Sequence, residues 1–294
     1  GSHDGIDWDP ISDTCIAAGF TPDTHGSIVW DPRLECFAWF TRATNLYRDR
    51  GARRKVARLQ HENLWDEWPI RSENILLPDQ LDAEDGHNYF YGMPTRYHAG
   101  IYWGFLWPYR HQEDMYTELA FSRDGIDFHR PTDRPRLIDL GADGDWDAGM
   151  VMASNWEEVG DEWWIYYAGT SGRHKERDPV PGIGLARLRK EGFASLRSPA
   201  GGGFVVTRAL RCPGGRLFVN ADARQGELRV RLTDYERTPL QDFAVPSRPI
   251  SSDGVRQQVR WDGIDPPVPA DRPLRLEFEM QGVVDLYSFC FSVV

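Results

Sequence analysis

Three carboxylates in this chain stand just before, or at the head of, strand-like segments. Asp23 precedes Gly26-Ser27-Ile28-Val29-Trp30, Asp147 follows Trp146 ahead of Met150-Val151-Met152-Ala153, and Glu118 opens Glu118-Leu119-Ala120. Carboxylates perform paired acid–base work when their surroundings push their pKa values apart, so that one keeps a proton while the other stays ionised. Each also has a plainer reading: an Asx turn for Asp23 with Thr24, a turn cap for Asp147 after Gly144-Asp145, a solvated edge position for Glu118. Asp145 competes with Asp147 for its place, and Glu84 or Asp85 with Glu118. The aromatics Tyr91 and Trp146 and the histidines His25 and His174 lie in or beside similar segments, and each could equally be core or solvated surface.

Other chemistries find little support. Gly201-Gly202-Gly203 lacks the following Lys and Ser/Thr of a phosphate loop, and Gly182-Ile183-Gly184 reads as the entrance to a strand. No Gly-x-Ser-x-Gly elbow is present. The balance of 34 basic against 45 acidic residues gives a net charge of −11, which argues against a nucleic-acid partner. No apolar run reaches the roughly 18 residues of a membrane span. Cys15, Cys36, Cys212 and Cys290 are scattered without a Cys-x-x-Cys pair, so buried free thiols are expected. Gly1-Ser2-His3 reads as an expression scar with no signal peptide after it, which leaves the compartment open.

The elements that must position these residues follow from a repeat. Asp4-Gly5-Ile6-Asp7-Trp8 returns as Asp124-Gly125-Ile126-Asp127-Phe128, with Asp66-Glu67-Trp68 between them, so that three aromatics fall 60 residues apart. Glu191-Gly192-Phe193 is a fainter echo. A period of this size means one structural unit copied along the chain. The copies are rich in β-branched and aromatic residues bounded by Gly, Pro and Asp, which predicts four-stranded blades of an all-β propeller. The first complete unit runs Gly26–Trp30, Cys36–Arg42, Lys55–Leu59 and Trp68–Leu77. The second runs Tyr89–Pro94, Ile101–Leu106, Glu118–Arg123 and Phe128–Pro131. The third has Met150–Ala153, Glu162–Ala168 and Ile183–Leu188. Val56-Ala57, Leu119-Ala120 and Leu185-Ala186 place a small residue at one fixed point of each unit, where neighbouring sheets would approach closely. The Asp-Gly turn is expected to be structural, its aromatic plugging between blades. Three copies and a tail do not close a ring of the four to eight blades usual for propellers, so an N-terminal truncation is expected.

From Gly201 the period stops. Phe204–Arg208, Arg216–Asn220, Glu227–Thr233, Val255–Trp261, Leu274–Met280 and Leu286–Phe291 alternate as short strands, separated by turns such as Arg224-Gln225-Gly226 and Ser252-Asp253-Gly254. This predicts an antiparallel β-sandwich over residues 201–294 behind a propeller over residues 1–200.

Taken together, the Asp-box-like turns, Trp146-Asp147-Ala148-Gly149-Met150-Val151, Tyr166-Tyr167-Ala168-Gly169 and the appended sandwich resemble the five-bladed β-propeller glycoside hydrolases, relatives of families 32 and 43. The resemblance implies an oligo- or polysaccharide substrate cleaved by carboxylate acid/base catalysis around a funnel on the propeller axis. It implies Asp23 as nucleophile or base, Asp147 as the tuning or stabilising carboxylate and Glu118 as general acid. The chain lacks the Trp-Met-Asn-Asp-Pro and Arg-Asp-Pro motifs of those relatives. A sugar offers C–H faces and hydroxyls together, so Tyr91 and Trp146 become platforms, with His25 and His174 lining the pocket. No organic cofactor is implied. A cation on the axis held by His25 or His174 stays open, because single histidines do not define a metal site. The alternative is a propeller kept as a non-catalytic carbohydrate-binding or scaffold protein.

Overall fold

A computed structural model describes residues 1–11, 25–42, 54–69, 73–111, 113–262, 267–270 and 272–292. The described residues are all-β apart from one five-residue helix, α1 (Gln80–Glu84), and a single 3-10 turn at Gln241–Phe243. The chain divides into two compact units, residues 1–157 with 165–186, and residues 158–164 with 187–294.

The first unit is built from antiparallel sheets. β1 (Ser27–Asp31), β2 (Cys36–Arg42), β3 (Val56–His61) and β4 (Glu73–Leu76) form a sheet in simple chain order. Next come β5 (Tyr89–Phe90), β6 (Thr95–His98), β7 (Ile101–Leu106), β8 (Pro108–Tyr109), β9 (Thr117–Ser122) and β10 (Arg136–Ile138), with a four-stranded order β10-β9-β7-β6 and a small β5-β8 pair. A third sheet of three strands has the order β11-β12-β13, with β11 (Met150–Val159), β12 (Glu162–Thr170) and β13 (Pro181–Arg189).

Two strand expectations shift. The run expected as Tyr89–Pro94 continues as a ladder to His98, with Pro94, which has no N–H to give, marking the break between β5 and β6. It turns at Ala99 and Gly100, both at positive φ (51° and 79°), as a two-residue hairpin requires. The closing segment expected at Trp68–Leu77 holds β4 in its second half, whereas the one at Phe128–Pro131 makes only a bridge, His129 to Phe121, with β10 farther on; the aromatics at the head of each are spent on packing. Trp68 packs edge-on against Trp39 at 5.6 Å, and Phe128 against Phe40 at 5.8 Å. Phe40, Phe90, Tyr102, Leu106 and Phe128 share one core with Ala38 and Ala120. Each fully buried large apolar side chain there contributes about 1.5–3 kcal/mol. Of the three small residues expected at close-approach points, Ala57 and Ala120 are fully buried and Ala186 is only half-buried.

The repeated turn works as a hydrogen-bonded knot. The Asp124 carboxylate accepts from the N–H groups of Ile126 and Asp127 at 2.9 and 2.8 Å, the Ser122 hydroxyl donates to it at 2.8 Å, and Gly125 takes φ 74°. Asp4 accepts from Ile6 and Asp7 at 2.8 and 3.0 Å, Ser2 donates to Asp4 at 3.0 Å, and Gly5 takes φ 77°. Ser2-x-Asp4-Gly5 and Ser122-x-Asp124-Gly125 make the same bonds.

The inner segments of the first unit are laced by side chains. The Ser27 hydroxyl accepts from the Thr95 N–H at 2.8 Å, the Thr117 hydroxyl accepts from the Ala153 N–H at 3.0 Å, and the Trp107 indole donates to the Ala153 carbonyl at 3.0 Å.

The second unit holds a six-stranded antiparallel sheet of β14 (Leu196–Arg197), β15 (Gly203–Val206), β16 (Leu210–Arg211), β17 (Arg216–Thr233), β18 (Asp253–Gln258) and β19 (Pro273–Ser292). Here the expectation of separate short strands is corrected. Residues 216–220 and 227–233 are halves of the single strand β17, and 274–280 and 286–291 are halves of β19. The turn expected at Arg224-Gln225-Gly226 is instead part of β17: a bulge at Ala223 and Arg224 shifts the register against β19, and Gln225 and Gly226 are paired again, with Val283 and Gly282. Gly226 is needed for close approach: a Cβ there would lie 2.2 Å from the Gln281 carbonyl oxygen. The bulge also changes the parity of the inward residues, from Leu217, Val219, Ala221 and Ala223 to Leu228, Val230 and Leu232, so both halves feed one core. Asp253 and Gly254, expected in a turn, begin β18. Phe193 packs against Trp163 at 4.5 Å as the fourth of the repeated aromatics, and the chain after it enters β14, which pairs with β19. Cys36 and Cys212 are buried thiols as expected, but Cys290 is exposed; Cys15 lies outside the described residues.

Candidate functional site

Trp146 and Asp147 are presented by a turn that leads into β11. The Asp145 carboxylate accepts from the Ala142 N–H at 2.9 Å, so the turn-capping role falls to Asp145. The Asp147 carboxylate instead accepts the Tyr167 hydroxyl at 2.9 Å. Burial and this bond push the Tyr167 hydroxyl up to about 12, so it stays a donor over the whole ordinary pH range. Above the bond the Trp146 and Tyr167 rings stack, 5.7 Å apart and 18° from parallel. Trp146 is still 38% exposed.

Glycines make the floor. A Cβ at Gly169 would lie 2.6 Å from the Trp146 ring, one at Gly182 2.5 Å from it, and one at Gly184 2.1 Å from the Tyr167 ring. A Cβ at Gly141 would lie 2.1 Å from an Asp147 carboxylate oxygen. Contacts under 3 Å cannot be accommodated without movement of the rings or of the carboxylate. The sequence therefore seats an aromatic pair and a carboxylate on bare backbone, which presents a flat apolar surface beside an acceptor.

Tyr91 and His174 are also brought together. The Tyr91 hydroxyl lies 3.2 Å from His174 Nε2, and both rings pack on Tyr109. The Arg54 guanidinium sits over the Tyr91 ring at 4.3 Å and the Tyr109 ring at 5.0 Å. Desolvation, with Arg54 and His111 nearby, holds the His174 pKa below its usual value. His25 packs edge-on to Trp107 at 5.5 Å, and burial lowers its pKa too.

Glu118 occupies a different setting. Its side chain is buried on β9, and one carboxylate oxygen accepts both Nε and Nη2 of Arg130, at 2.9 and 2.6 Å. The Tyr116 hydroxyl bonds to it as well. Arg130 Nη1 donates to Asp82 at 2.9 Å, Arg134 reaches Asp82 at 3.0 Å, and Arg134 also pairs with Asp79. Desolvation raises the Glu118 pKa, against the pull of Arg130. The rivals Glu84 and Asp85 lie exposed at the end of α1, where Glu84 accepts from Gln80 at 2.9 Å. Asp23 lies outside the described residues.

The structure thus joins Trp146 with Asp147, and Tyr91 with His174, while Glu118 makes its contacts in the ion cluster. Among the described residues no group of three or more His, Cys, Asp and Glu side chains is placed to hold a metal ion. No described helix is long and apolar enough to cross a membrane. Sequence reasoning missed Tyr167, Arg54, Tyr109 and Arg130. The alternating glycines Gly182 and Gly184 were a usable signal for the ring floor; nothing in the residue order pairs Arg130 with Glu118.

No family model and no curated protein matches this chain. Among solved structures it is similar to an N-acetylgalactosamine deacetylase from F. plautii, at 16% identity and a TM-score of 0.42 over 56% of this chain and 50% of that one. It is similar to a family 117 glycoside hydrolase produced by Zobellia galactanivorans, at 10% identity and a TM-score of 0.42 over 88% of this chain and 84% of that one. A Bombyx mori family 32 β-fructofuranosidase matches at 8% identity and a TM-score of 0.35, over 89% of this chain and 64% of that one. The chain spans about half the length of the first solved structures it matches, 50%, 45% and 40% of each. Likeness of this degree carries nothing about activity.

Proposed function

We propose that the chain is a carbohydrate-active protein of the propeller glycoside hydrolase type, with its three repeated sheets as blades and the six-stranded sheet of the second unit as a sandwich-like appendage. The observation that carries this reading is the Trp146–Tyr167 stack beside the Asp147 carboxylate. A sugar ring laid on the Trp146 face would place its hydroxyls against a fixed acceptor while its C–H face covers the indole. In this reading Asp147 stabilises or tunes the reacting centre, Asp23 supplies the base or nucleophile, and Glu118 gives the proton to the leaving oxygen. The raised pKa of Glu118 has the direction a general acid needs.

A second reading, a carbohydrate-binding or scaffold propeller without turnover, is favoured by one observation: Arg130 and Tyr116 already engage the Glu118 carboxylate. Nitrophenyl glycosides and plant and algal polysaccharides, assayed for hydrolysis and for retardation of the protein in polysaccharide gels, separate the two. Hydrolysis that disappears in Asp147→Asn supports the enzyme. Retardation without hydrolysis, lost in Trp146→Ala, supports the binding protein. Retardation and turnover both unaffected by the two substitutions would remove the platform from function.

A further inference from the structure

The chain carries a net charge of −11, which on average disfavours anions. The cluster around Tyr91 and Tyr109 is an exception. Arg54 lies over both rings, at 4.3 and 5.0 Å, and Arg42 approaches the Tyr91 ring at 5.5 Å. His174 packs on the same two rings, at 5.5 and 5.1 Å, and His111 on Tyr89 and Tyr109, at 5.5 and 6.2 Å. Arg54 makes no ion pair among the described residues, and its Nη1 is buried without a hydrogen-bond partner. A buried guanidinium N–H left unsatisfied costs more than a neutral donor would; Arg58, Arg110, Arg134 and Arg231 carry such nitrogens as well, so what marks Arg54 is its place over two tyrosine rings beside His174.

Contact with two tyrosine rings set at 81° to each other confines the guanidinium to the corner between them, where a fork-shaped donor could meet an oxyanion. Desolvation, with Arg54 and His111 nearby, disfavours the protonated form of His174, so the lasting positive charge beside it is the Arg54 guanidinium. His111 is exposed and Arg54 and His174 are half-buried, so a ligand can reach the cluster from solvent. An ordinary structural arginine on an acidic protein would be expected beside a carboxylate, as Arg130 is beside Glu118.

We propose that Arg54, with His174 and Tyr91, binds an oxyanion. The group is either the carboxylate of an acidic sugar or a free phosphate. The sugar arm rests on the carbohydrate reading above, whereas the anion arm stands on Arg54 by itself.

Titration calorimetry with inorganic phosphate, methyl galacturonate and the neutral methyl galactoside tests this, on wild type, Arg54→Gln, Arg54→Lys and His174→Asn. Thermal unfolding of each variant verifies that the fold is retained. Binding of one or both anions is expected, weakened at least about tenfold in Arg54→Gln and partly restored in Arg54→Lys, because a point charge lacks the fork. Tight binding of galacturonate alone identifies an acidic sugar, and of phosphate alone a phosphate site. Anion binding equal in wild type and in folded Arg54→Gln would overturn the proposal, as would no binding of either anion. Neutral galactoside or polysaccharide binding that survives Arg54→Gln leaves the Trp146 platform standing whichever way the anion result falls.

Discussion

Arg130→Met isolates the buried ion cluster and measures what Glu118 is doing. The cluster sets three carboxylates, Asp79, Asp82 and Glu118, against Arg130 and Arg134. The Arg130 and Glu118 side chains are 6% and 3% exposed, so their charges lean on one another rather than on water. Without Arg130, Glu118 loses both of its guanidinium donors, at 2.9 and 2.6 Å, and Asp82 keeps Arg134 and the Asp79 N–H, at 3.0 and 2.9 Å. Breaking a buried pair from one side leaves an uncompensated charge and costs about 3–5 kcal/mol. Glu118→Gln is milder, about 1 kcal/mol, because the amide oxygen still accepts from Arg130 and a poorly solvated charge has been removed. The double substitution should fall short of the sum of the single ones, since Arg130→Met then abandons no carboxylate on β9.

The pH dependence has a definite sign. The folded-state pKa of Glu118 is already raised, and loss of Arg130 removes the main force opposing that rise. A group whose folded pKa exceeds its unfolded value favours the fold when protonated. The deficit of Arg130→Met should therefore shrink between pH 7 and pH 5. Urea unfolding at both pH values, together with turnover on any substrate found, gives the readout. Equal costs for Arg130→Met and Glu118→Gln at pH 7, or a deficit that grows on acidification, would refute the reasoning. Turnover abolished in a fully stable Glu118→Gln would make Glu118 the proton donor despite its partners.

Two further expectations concern other parts of the molecule. Gly184→Ala touches neither Asp147 nor Trp146, yet its Cβ would lie 2.1 Å from the Tyr167 ring and 2.5 Å from its hydroxyl oxygen. Displacement of Tyr167 should cost about 1–3 kcal/mol in urea unfolding and weaken polysaccharide retardation as Trp146→Ala does; unchanged retardation would detach the glycine floor from binding. In the second unit, the Arg224 guanidinium holds the Asp222 carboxyl at about 2 against an ordinary 3.8. Its contribution is present above pH 4 and is lost as pH falls through about 2, so Asp222→Asn should flatten the acid limb of the stability curve. Arg224 is largely exposed, which keeps the effect below about 1 kcal/mol. An acid limb of unchanged slope would show the pair to be inert.

The parts of the fold legible in the sequence were those written in local chemistry. The Asp-Gly knot announces itself because carboxylate, glycine and following N–H groups are neighbours in sequence, and its 60-residue spacing gives the order of the sheets. Trp146 and Asp147 were legible for the same reason, adjacent residues at the head of a strand. Glycine misled where its cause was distant: Gly226 resembles a turn residue, but the reason for it is the backbone at Gln281 on another strand. Arg130 was illegible as the partner of Glu118 because a side chain 12 residues along the chain returns only once β9 and the loop after it have folded.

Gly182 and Gly184 bear on more than the rings they seat. β13 is the last strand of its sheet, and its side chains Ile183 (85% exposed) and Leu185 face water. An open rim of apolar residues invites an incoming strand from a neighbouring molecule. Proline at position 181 cannot donate a ladder bond, and two glycines weaken the extended conformation that such docking needs. Replacing either glycine with a residue of higher β-propensity would thus unseat an aromatic ring and prime the rim for aggregation in one step.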